Sequence, residues 1–222
     1  MIRLVAFDWN GTLFSDTKAI CEAVNQVLKL FKFGPIGLSS FQKHFDVPIS
    51  KTYIGLGISE NEVIAKSSQV AETFHSYYEQ RVTKIRTRAG AKELLTWLSK
   101  NNIECVIFSN HIDEQIKKQL KRLKIDKFFS KILSNEHREA SLKGRGKKDK
   151  LKDYLDSQNI LAKEILLIGD TVEEIEIGKE FGAVTVAITH GNCSTARLKA
   201  KKPDYLVCSL KDMIGIIKKA NG

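Results

Sequence analysis

The sequence predicts a doubly wound α/β fold, in which helices cover both faces of a mainly parallel sheet. Two observations lead to this prediction. Short apolar runs rich in β-branched residues recur along the chain, and helical patterns lie between the later runs, which is typical of parallel sheets. One long interval near the N terminus has helical spacing of apolar residues but no convincing strand, which indicates a helical insertion.

Six strands are predicted, each from an apolar run of suitable length and composition. In chain order they are IRLVAF (2–7), IECVIF (103–108), KIL (131–133), EILLIG (164–169), AVTVAI (183–188) and DYLVC (204–208). Four helices are predicted between the later strands, because apolar residues recur there at helical spacing. They cover 91–102, 113–124, 147–158 and 173–182.

The helical interval between the first and second strands divides the chain into two predicted domains. Three segments in it have helical spacing: KAICEAVNQVLKLF (18–31), SSFQKHF (39–45) and NEVIAKSSQVAETFHSYYEQRV (61–82). The stretches GPIG (34–37) and GLG (55–57) are predicted turns between them. We therefore expect an α/β core formed by 1–16 and 87–222, and a helical insertion formed by 17–86.

Composition excludes several classes of protein. Of the 222 residues, 42% are hydrophobic, which is ordinary for a soluble globular protein. No apolar stretch is long enough to span a membrane, and the first apolar run ends at Asp8, so it is not a signal peptide. We predict a cytoplasmic protein with no membrane partner. Its four cysteines are scattered without metal-binding spacing and are predicted to be reduced thiols.

The formal net charge of +10 raises the question of an anionic partner. Basic residues are concentrated in 117–131, 143–152 and 197–203, with few aromatic residues between them and no recognisable nucleic-acid module. This distribution favours solvated helix faces, so no specific nucleic-acid partner is predicted. The sequence makes no prediction about oligomeric state.

Polar side chains follow three of the predicted strands. Asp8 follows the first, Ser109 and Asn110 follow the second, and Asp170 follows the fourth, with Glu174 close behind. The carboxyl ends of parallel strands meet at one edge of the sheet, where ligands bind. Carboxylates there suit a hard cation, and a hydroxyl with backbone amides suits phosphate oxygens. Taken alone, Asp8 fits a nucleophile, a metal ligand or a simple turn cap.

Two adjacent lysines, Lys147 and Lys148, open the predicted helix 147–158. The helix dipole disfavours a cation at this end. A lysine placed against that preference indicates a function, although a solvated basic run would also account for it.

These residues, in this order, resemble the four motifs of the haloacid dehalogenase-like hydrolase superfamily. The first motif matches DWNGT (8–12) except at Asn10, and the second matches FSN (108–110). Lys147 or Lys148 matches the third, and Gly169 and Asp170 with Glu174 match the fourth. The resemblance covers nearly the whole chain. It implies a Rossmann-like core, and residues 17–86 fall where members similar to phosphoglycolate phosphatase carry a helical cap.

The resemblance also implies a role for each matching residue. Asp8 would be the nucleophile that forms an aspartyl phosphate on a small phosphorylated substrate. Mg²⁺ would be held by Asp8, the backbone carbonyl of Asn10, Asp170 and, directly or through water, Glu174. Ser109, the amide of Asn110 and Lys147 or Lys148 would bind the phosphoryl oxygens, and Thr12 would steady the loop.

Asn10 departs from the family pattern. The position is an aspartic acid in the phosphatases, where it protonates the leaving group and later takes a proton from the attacking water. An amide does neither. Three functions therefore stay open: a phosphohydrolase, a catalytically weak protein that binds phosphate or a phosphoprotein, and a phosphonate hydrolase with a cap lysine as Schiff base.

Overall fold

The computed structural model of the protein describes residues 1–136 and 146–222. The six predicted strands are all present. They are β1 (Leu4–Phe7), β2 (Glu104–Ile112), β3 (Lys131–Asn135), β4 (Ile165–Gly169), β5 (Val184–Ile188) and β6 (Tyr205–Val207). They form one sheet in the order β3-β2-β1-β4-β5-β6, and every pairing between them is parallel. The order reverses between β1 and β4, so a crevice for a ligand is expected beyond the carboxyl ends of these two strands.

Strand β2 is longer than the apolar run predicts. The prediction ends it at Phe108, whereas the strand continues to Ile112. Phe108 pairs with Leu133 and Ile112 pairs with Asn135. Between these two pairs β2 therefore advances by four residues while β3 advances by two. Such an irregularity bends a strand and redirects its side chains. Ser109 and Asn110, which were expected to follow the strand, therefore lie in its irregular part.

The insertion is helical throughout its regular structure, as predicted. Its helices are α1 (Thr17–Leu30), α2 (Leu38–His44), α3 (Ser50–Gly55), α4 (Glu60–Ala65) and α5 (Ser67–Val82). Helix α3 was not predicted, and the segment 61–82, expected as one helical pattern, is two helices separated at Lys66. The Lys66 ammonium donates to the carbonyl of Leu30, at the end of α1, at 2.9 Å.

The two chain crossings between core and insertion run side by side. Ser15 donates its backbone N–H to Arg86 (3.1 Å), and Arg88 donates its own to Leu13 (2.9 Å). Phe14 and Thr87 form an isolated antiparallel bridge between these bonds. The crossings lie at the predicted boundaries, after residue 16 and before residue 87, although the division into two domains stays a prediction.

The remaining helices surround the sheet. They are α6 (Ala91–Lys100), α7 (Asp113–Leu123), α8 (Lys147–Gln158), α9 (Val172–Phe181), α10 (Thr195–Ala200) and α11 (Asp212–Asn221). The four predicted core helices are confirmed as α6 to α9. Both faces of the sheet are covered, since Val5 and Phe7 of β1 belong to one hydrophobic cluster while Leu4 and Ala6 belong to another. No helix within the described ranges has the length and apolar character needed to cross a membrane.

Candidate active site

Two carboxylates meet at the crevice between β1 and β4. Asp8 directly follows β1, and Asp170 directly follows β4. The backbone N–H of Asp8 donates to Ile168 at 2.9 Å, so the ladder between the strands extends into the site. Both side chains are buried. Thr12 donates its hydroxyl proton to Asp170 Oδ1 at 3.0 Å, which ties the loop after Asp8 to the end of β4.

Lys147, in the first turn of α8, is a buried cation at the site. Only 2% of the residue is exposed, and its Nζ donates to Asp8 Oδ1 at 2.7 Å and to Glu174 Oε1 at 2.5 Å. Burial by itself would lower the pKa of Lys147, but the two carboxylates outweigh it and raise that pKa above its usual value. Lys147 therefore stays protonated.

Lys148, predicted as an equal candidate, does not enter the site. Its side chain is 37% exposed and pairs with Glu180 at the surface. Adjacent helical residues point about 100° apart, so only one of the two lysines reaches Asp8. Of the two candidates, Lys147 is therefore the one that contacts Asp8, and its role as the catalytic lysine stays a prediction.

Glu174 holds Lys147 and caps helix α9. Its Oε2 accepts from the backbone N–H of Thr171 (2.9 Å) and from the Thr171 hydroxyl (2.6 Å), while Oε1 faces Lys147. Burial by itself would raise the pKa of Glu174. Lys147 and the Thr171 donors lower this pKa by more than burial raises it, so the net shift is downward. Both oxygens thus have donors from this chain, and the expected role of Glu174 as a metal ligand stays a prediction.

Close backbone approach explains two glycines around Asp170. A Cβ on Gly11 or on Gly191 would lie 2.2 Å from Asp170 Oδ2, and Gly11 also has a φ of +75°. The neighbouring Asn192 donates its backbone N–H to the same oxygen. The sequence analysis missed Gly191 and Asn192, which lie in a loop after β5.

Asp8 and Asp170 both have pKa values raised above the usual range of a carboxyl group. Burial raises the pKa of Asp8, Lys147 lowers it, and Glu174 and Asp170 raise it again. Burial and then repulsion from Glu174 raise the pKa of Asp170 to about 7. A bound cation would relieve this repulsion.

The oxygen donors fit Mg²⁺. Asp8, Asp170 and the backbone carbonyl of Asn10 offer hard oxygen atoms, and the carbonyl accepts a long hydrogen bond, 3.3 Å, from Asn192 Nδ2. Among residues 1–136 and 146–222 no three His, Cys, Asp or Glu side chains form a metal cluster. Two carboxylates and a carbonyl nevertheless suit Mg²⁺, which usually binds one or two carboxylates and keeps several waters.

Ser109 and Asn110 reach the same cavity as Asp8. The Ser109 oxygen accepts the backbone N–H of His111 at 3.1 Å, which leaves the hydroxyl proton available for a ligand. The Asn110 side chain donates to Glu173 at 2.7 Å, and its carbonyl accepts from Asn135 at 2.8 Å. The site residues on β2 are therefore held in place by β3 and α9.

The amide of Asn10 belongs to a network that the sequence analysis missed. Its Nδ2 donates to Asp16 Oδ2 at 2.6 Å and to the Tyr78 hydroxyl oxygen at 2.8 Å. Tyr78 donates its own proton to Asp16, which also accepts the Gly11 N–H at 2.7 Å. Burial raises the pKa of Asp16 to about 6, and the hydrogen bonds from Tyr78 and Asn10 oppose that rise. The network joins the core loop to helix α5 of the insertion.

A cavity of about 140 Å³ lies above Asp8, between core and insertion. The core contributes polar residues, among them Asp8, Ser109 and Lys147. The insertion contributes mainly apolar and aromatic side chains, among them Phe45, Val70 and Phe74. The site is thus a polar floor under an apolar wall.

Comparisons with known proteins agree with this geometry. The family model described as haloacid dehalogenase-like hydrolase matches residues 5–188. The chain is 25% identical to pyrophosphatase PpaX of Bacillus mycoides over 228 residues, covering 100% of this chain and 99% of that protein. It is 22% identical to a phosphoglycolate phosphatase of Pseudomonas putida, covering 96% of this chain and 78% of that protein.

Solved structures show the same fold. A "predicted phosphatase" from Clostridium acetobutylicum superposes with a TM-score of 0.82 at 20% identity, covering 99% of each chain. A haloacid dehalogenase-like family hydrolase from Streptococcus pneumoniae superposes with a TM-score of 0.81 at 20% identity, covering 97% of this chain and 98% of that one.

Proposed function

Because the chain belongs to the haloacid dehalogenase-like hydrolase family, we propose that it is a magnesium-dependent phosphohydrolase that acts through an aspartyl phosphate on Asp8. One observation carries this proposal: Lys147 is buried between Glu174 and Asp8, and Asp8 lies at the point where the strand order reverses. The phosphatase and pyrophosphatase names of the relatives support it.

Each polar residue of the floor has a chemical task. An oxygen of Asp8 attacks phosphorus, while Lys147 opposes the rise that burial causes in the pKa of Asp8 and offsets the charge of the phosphoryl oxygens. Ser109 donates its free hydroxyl proton to a phosphoryl oxygen. Mg²⁺ at Asp8, Asp170 and the Asn10 carbonyl would neutralise further charge on the transferring group. Glu174 fixes Lys147 in place and is a candidate for a water-mediated contact to the metal.

The amide at Asn10 favours a second candidate, a protein that binds a phosphorylated ligand but turns it over slowly. General acid–base catalysis is typically worth about 10²- to 10⁴-fold in rate, and Asn10 supplies none. The third candidate, phosphonate hydrolysis, would need a lysine of the insertion in the cavity. Of the described residues that line it, none from the insertion is a lysine.

Two adjacent lysines provide a matched test. Purified wild-type protein is assayed with Mg²⁺ on p-nitrophenyl phosphate, beside Asp8→Asn, Lys147→Gln and Lys148→Gln. We expect Asp8→Asn and Lys147→Gln to lose at least about 10²-fold in kcat, and Lys148→Gln to match wild type, because only Lys147 touches Asp8. Equal activity in the two lysine variants would contradict the proposal.

Metal binding is tested without turnover. We expect Mg²⁺ to raise the melting temperature of wild type, because a ligand that binds the folded state stabilises it, and to raise that of Asp170→Asn much less. A phosphate-binding protein without turnover would show the same melting shifts, together with binding of inorganic phosphate, but no product. An Mg²⁺ shift equal in both proteins would remove Asp170 from the metal site.

A further inference from the structure

Asn192, in the loop after β5, contacts two of the three groups that are expected to hold Mg²⁺. Its backbone N–H donates to Asp170 Oδ2, and its Nδ2 donates to the backbone carbonyl of Asn10 at 3.3 Å. The residue is only 1% exposed and lines the cavity above Asp8. Asn192 therefore belongs to the immediate surroundings of the expected metal, although it lies in none of the sequence motifs.

The side-chain oxygen of Asn192 is buried without a donor. Among the residues that the structure describes, none donates a hydrogen bond to Oδ1. The orientation of the amide follows from its neighbour, because an oxygen in the place of Nδ2 would face the carbonyl oxygen of Asn10 and donate nothing to it. Folded proteins satisfy most buried polar atoms with protein groups, waters or ions, because an unsatisfied one is costly. We therefore expect a donor or a cation at Oδ1.

The groups around Oδ1 limit the chemistry of this partner. Ionised Asp8 and Asp170 and the Asn10 carbonyl only accept hydrogen bonds. The cation in the cavity, Lys147, already donates to two carboxylates, and Arg88 donates to two backbone carbonyls. A divalent cation attracts an amide oxygen directly, and Mg²⁺ usually keeps several waters, each of which is a donor. A partner at this place is therefore best supplied by Mg²⁺ or by one of its waters.

The loop that carries Asn192 is held on both sides by helix α2 of the insertion. The Gln42 side chain donates to the carbonyl of Gly191 at 2.7 Å, and the Gln42 carbonyl accepts the backbone N–H of Ser194 at 2.9 Å. These two bonds fix the backbone immediately before Asn192 and two residues after it. A ligating side chain on a backbone held in this way is preorganised for its ligand.

We infer that Asn192 is a further residue of the Mg²⁺ site, in which its Oδ1 binds the cation directly or accepts a hydrogen bond from a water bound to the cation. This inference rests on the proposed magnesium-dependent function and adds a residue that no sequence motif assigns. An amide oxygen supplies the contact without placing a further negative charge beside Asp8 and Asp170.

Two variants of Asn192 separate a metal role from a structural one. Asn192→Leu keeps the branched shape without the oxygen, Asn192→Asp keeps an oxygen, and both keep the backbone N–H that donates to Asp170. The apparent Mg²⁺ dissociation constant is measured without substrate, by titration calorimetry and from the rise in melting temperature over a series of Mg²⁺ concentrations. We expect about tenfold weaker binding in Asn192→Leu, as is typical when a group around a metal is lost. Asn192→Asp should bind Mg²⁺ more tightly than Asn192→Leu.

The melting temperature without Mg²⁺ gives the structural readout. We expect Asn192→Leu to melt close to wild type in the absence of metal, because the oxygen that it removes has no donor to lose. If it melts far lower, Asn192→Ala, which needs no additional space, takes its place in the binding measurement with the same expected loss.

Thr189→Val is the matched control in the same loop. The Thr189 hydroxyl oxygen is also buried with no hydrogen-bond partner in the described part of the chain, but Thr189 is not among the described residues that line the cavity. We expect Thr189→Val to bind Mg²⁺ as wild type does. If it weakens binding as much as Asn192→Leu, the loss comes from packing of the loop, and the inference is overturned.

The binding measurements distinguish failure of this inference from failure of the proposed function. If wild type and Asn192→Leu bind Mg²⁺ equally, an ordinary buried water satisfies Oδ1, so the inference is overturned while the magnesium-dependent phosphohydrolase stands. If Asn192→Asp binds no more tightly than Asn192→Leu, the oxygen contributes nothing, with the same consequence. If wild type binds no Mg²⁺ at all, the proposed metal dependence is wrong and the inference is overturned with it.

Discussion

Replacing Asn10 with aspartate tests why this site carries an amide. In the wild type Asn10 Nδ2 donates to Asp16 Oδ2 at 2.6 Å. In Asn10→Asp two carboxyl groups meet at this distance, and like charges so close do not both ionise, so the pair shares a proton at neutral pH. Asp16 is already buried with a pKa raised to about 6, which favours this shared proton.

The expected gain in kcat/KM depends on whether the shared proton is available to the leaving group. An unshared general acid at this position would be worth about 10²- to 10⁴-fold for an alkyl phosphate. In Asn10→Asp the proton is held by Asp16, so we expect a gain in kcat/KM for ethyl phosphate near the lower end of that range. The double variant Asn10→Asp/Asp16→Asn exchanges acid and amide, so that the new amide at position 16 would donate to the new carboxyl group at position 10. We expect it to reach a larger gain, with a smaller change for phenyl phosphate.

Stability gives a second readout of the same pair. A carboxyl group whose folded-state pKa is raised above its unfolded value of about 3.9 stabilises the fold at low pH, and that contribution is lost as pH rises through the folded pKa. Asn10→Asp should therefore lose stability relative to wild type as pH rises from about 5 to 8, by at most about 1.4 kcal/mol per pH unit. The double variant has one carboxyl group and an amide donor, so its loss should be smaller.

The assay is steady-state hydrolysis of ethyl and phenyl phosphate with Mg²⁺ between pH 5.5 and 8, with urea unfolding over the same range. Asp16→Asn alone is the control, because it breaks the network without supplying an acid at position 10. No gain for ethyl phosphate in either Asn10→Asp protein, at full stability, would refute the idea that proton supply limits alkyl substrates.

Two further predictions concern the surroundings of the site. Gly191→Ala should displace Asp170, because the added Cβ would lie 2.2 Å from Asp170 Oδ2. We expect it to lower kcat and to reduce the rise in melting temperature that Mg²⁺ causes. Gly34→Ala is the matched control, because nothing lies within 4 Å of its added Cβ, and it should leave both quantities unchanged. Burial, with a smaller contribution from His75, lowers the pKa of His111 to about 3. Between about pH 3 and 6.5 the unfolded state therefore binds one more proton than the folded state, so the free energy of unfolding should fall as pH falls through this window. In urea unfolding at pH 4.5 to 7.5, His111→Gln should show a weaker dependence of this free energy on pH than wild type. An equal dependence in both proteins would mean that His111 does not control it.

The sheet could be predicted because its strands are buried on both faces. Leu4 and Ala6 pack on one side of β1, Val5 and Phe7 on the other, so the sequence shows a continuous apolar run. The extension of β2 could not be predicted in this way. Its end at Ser109 and Asn110 is polar, and an irregular pairing with β3 keeps it extended.

The sequence predicted that the insertion is helical, but not the number and bounds of all its helices. Helix α3 has only six residues, so it offers too few apolar positions to establish a period. The break between α4 and α5 falls at Lys66, whose side chain reaches back to the carbonyl of Leu30. A tertiary contact of this kind leaves no signal in the local pattern.

The sequence also could not choose between the two lysines of α8. Leu151 and Leu155 are buried on this helix. They lie four and eight positions after Lys147 but three and seven after Lys148, and both spacings place residues on one face. The choice depends on the rotation of α8 about its axis against the sheet, which packing sets.

The network around Asn10 gives the departure from the family motif a structural reason. Sequence comparison alone presents the amide as the loss of an acid. In the structure the amide is the donor that satisfies the buried Asp16 carboxylate and meets the Tyr78 hydroxyl of α5. An ionised aspartate at position 10 would be repelled by Asp16, and the contact between the core loop and the insertion would weaken. The amide that removes the proton donor therefore also joins the loop after Asp8 to helix α5 of the insertion, whose residues Phe74 and Tyr78 line the cavity.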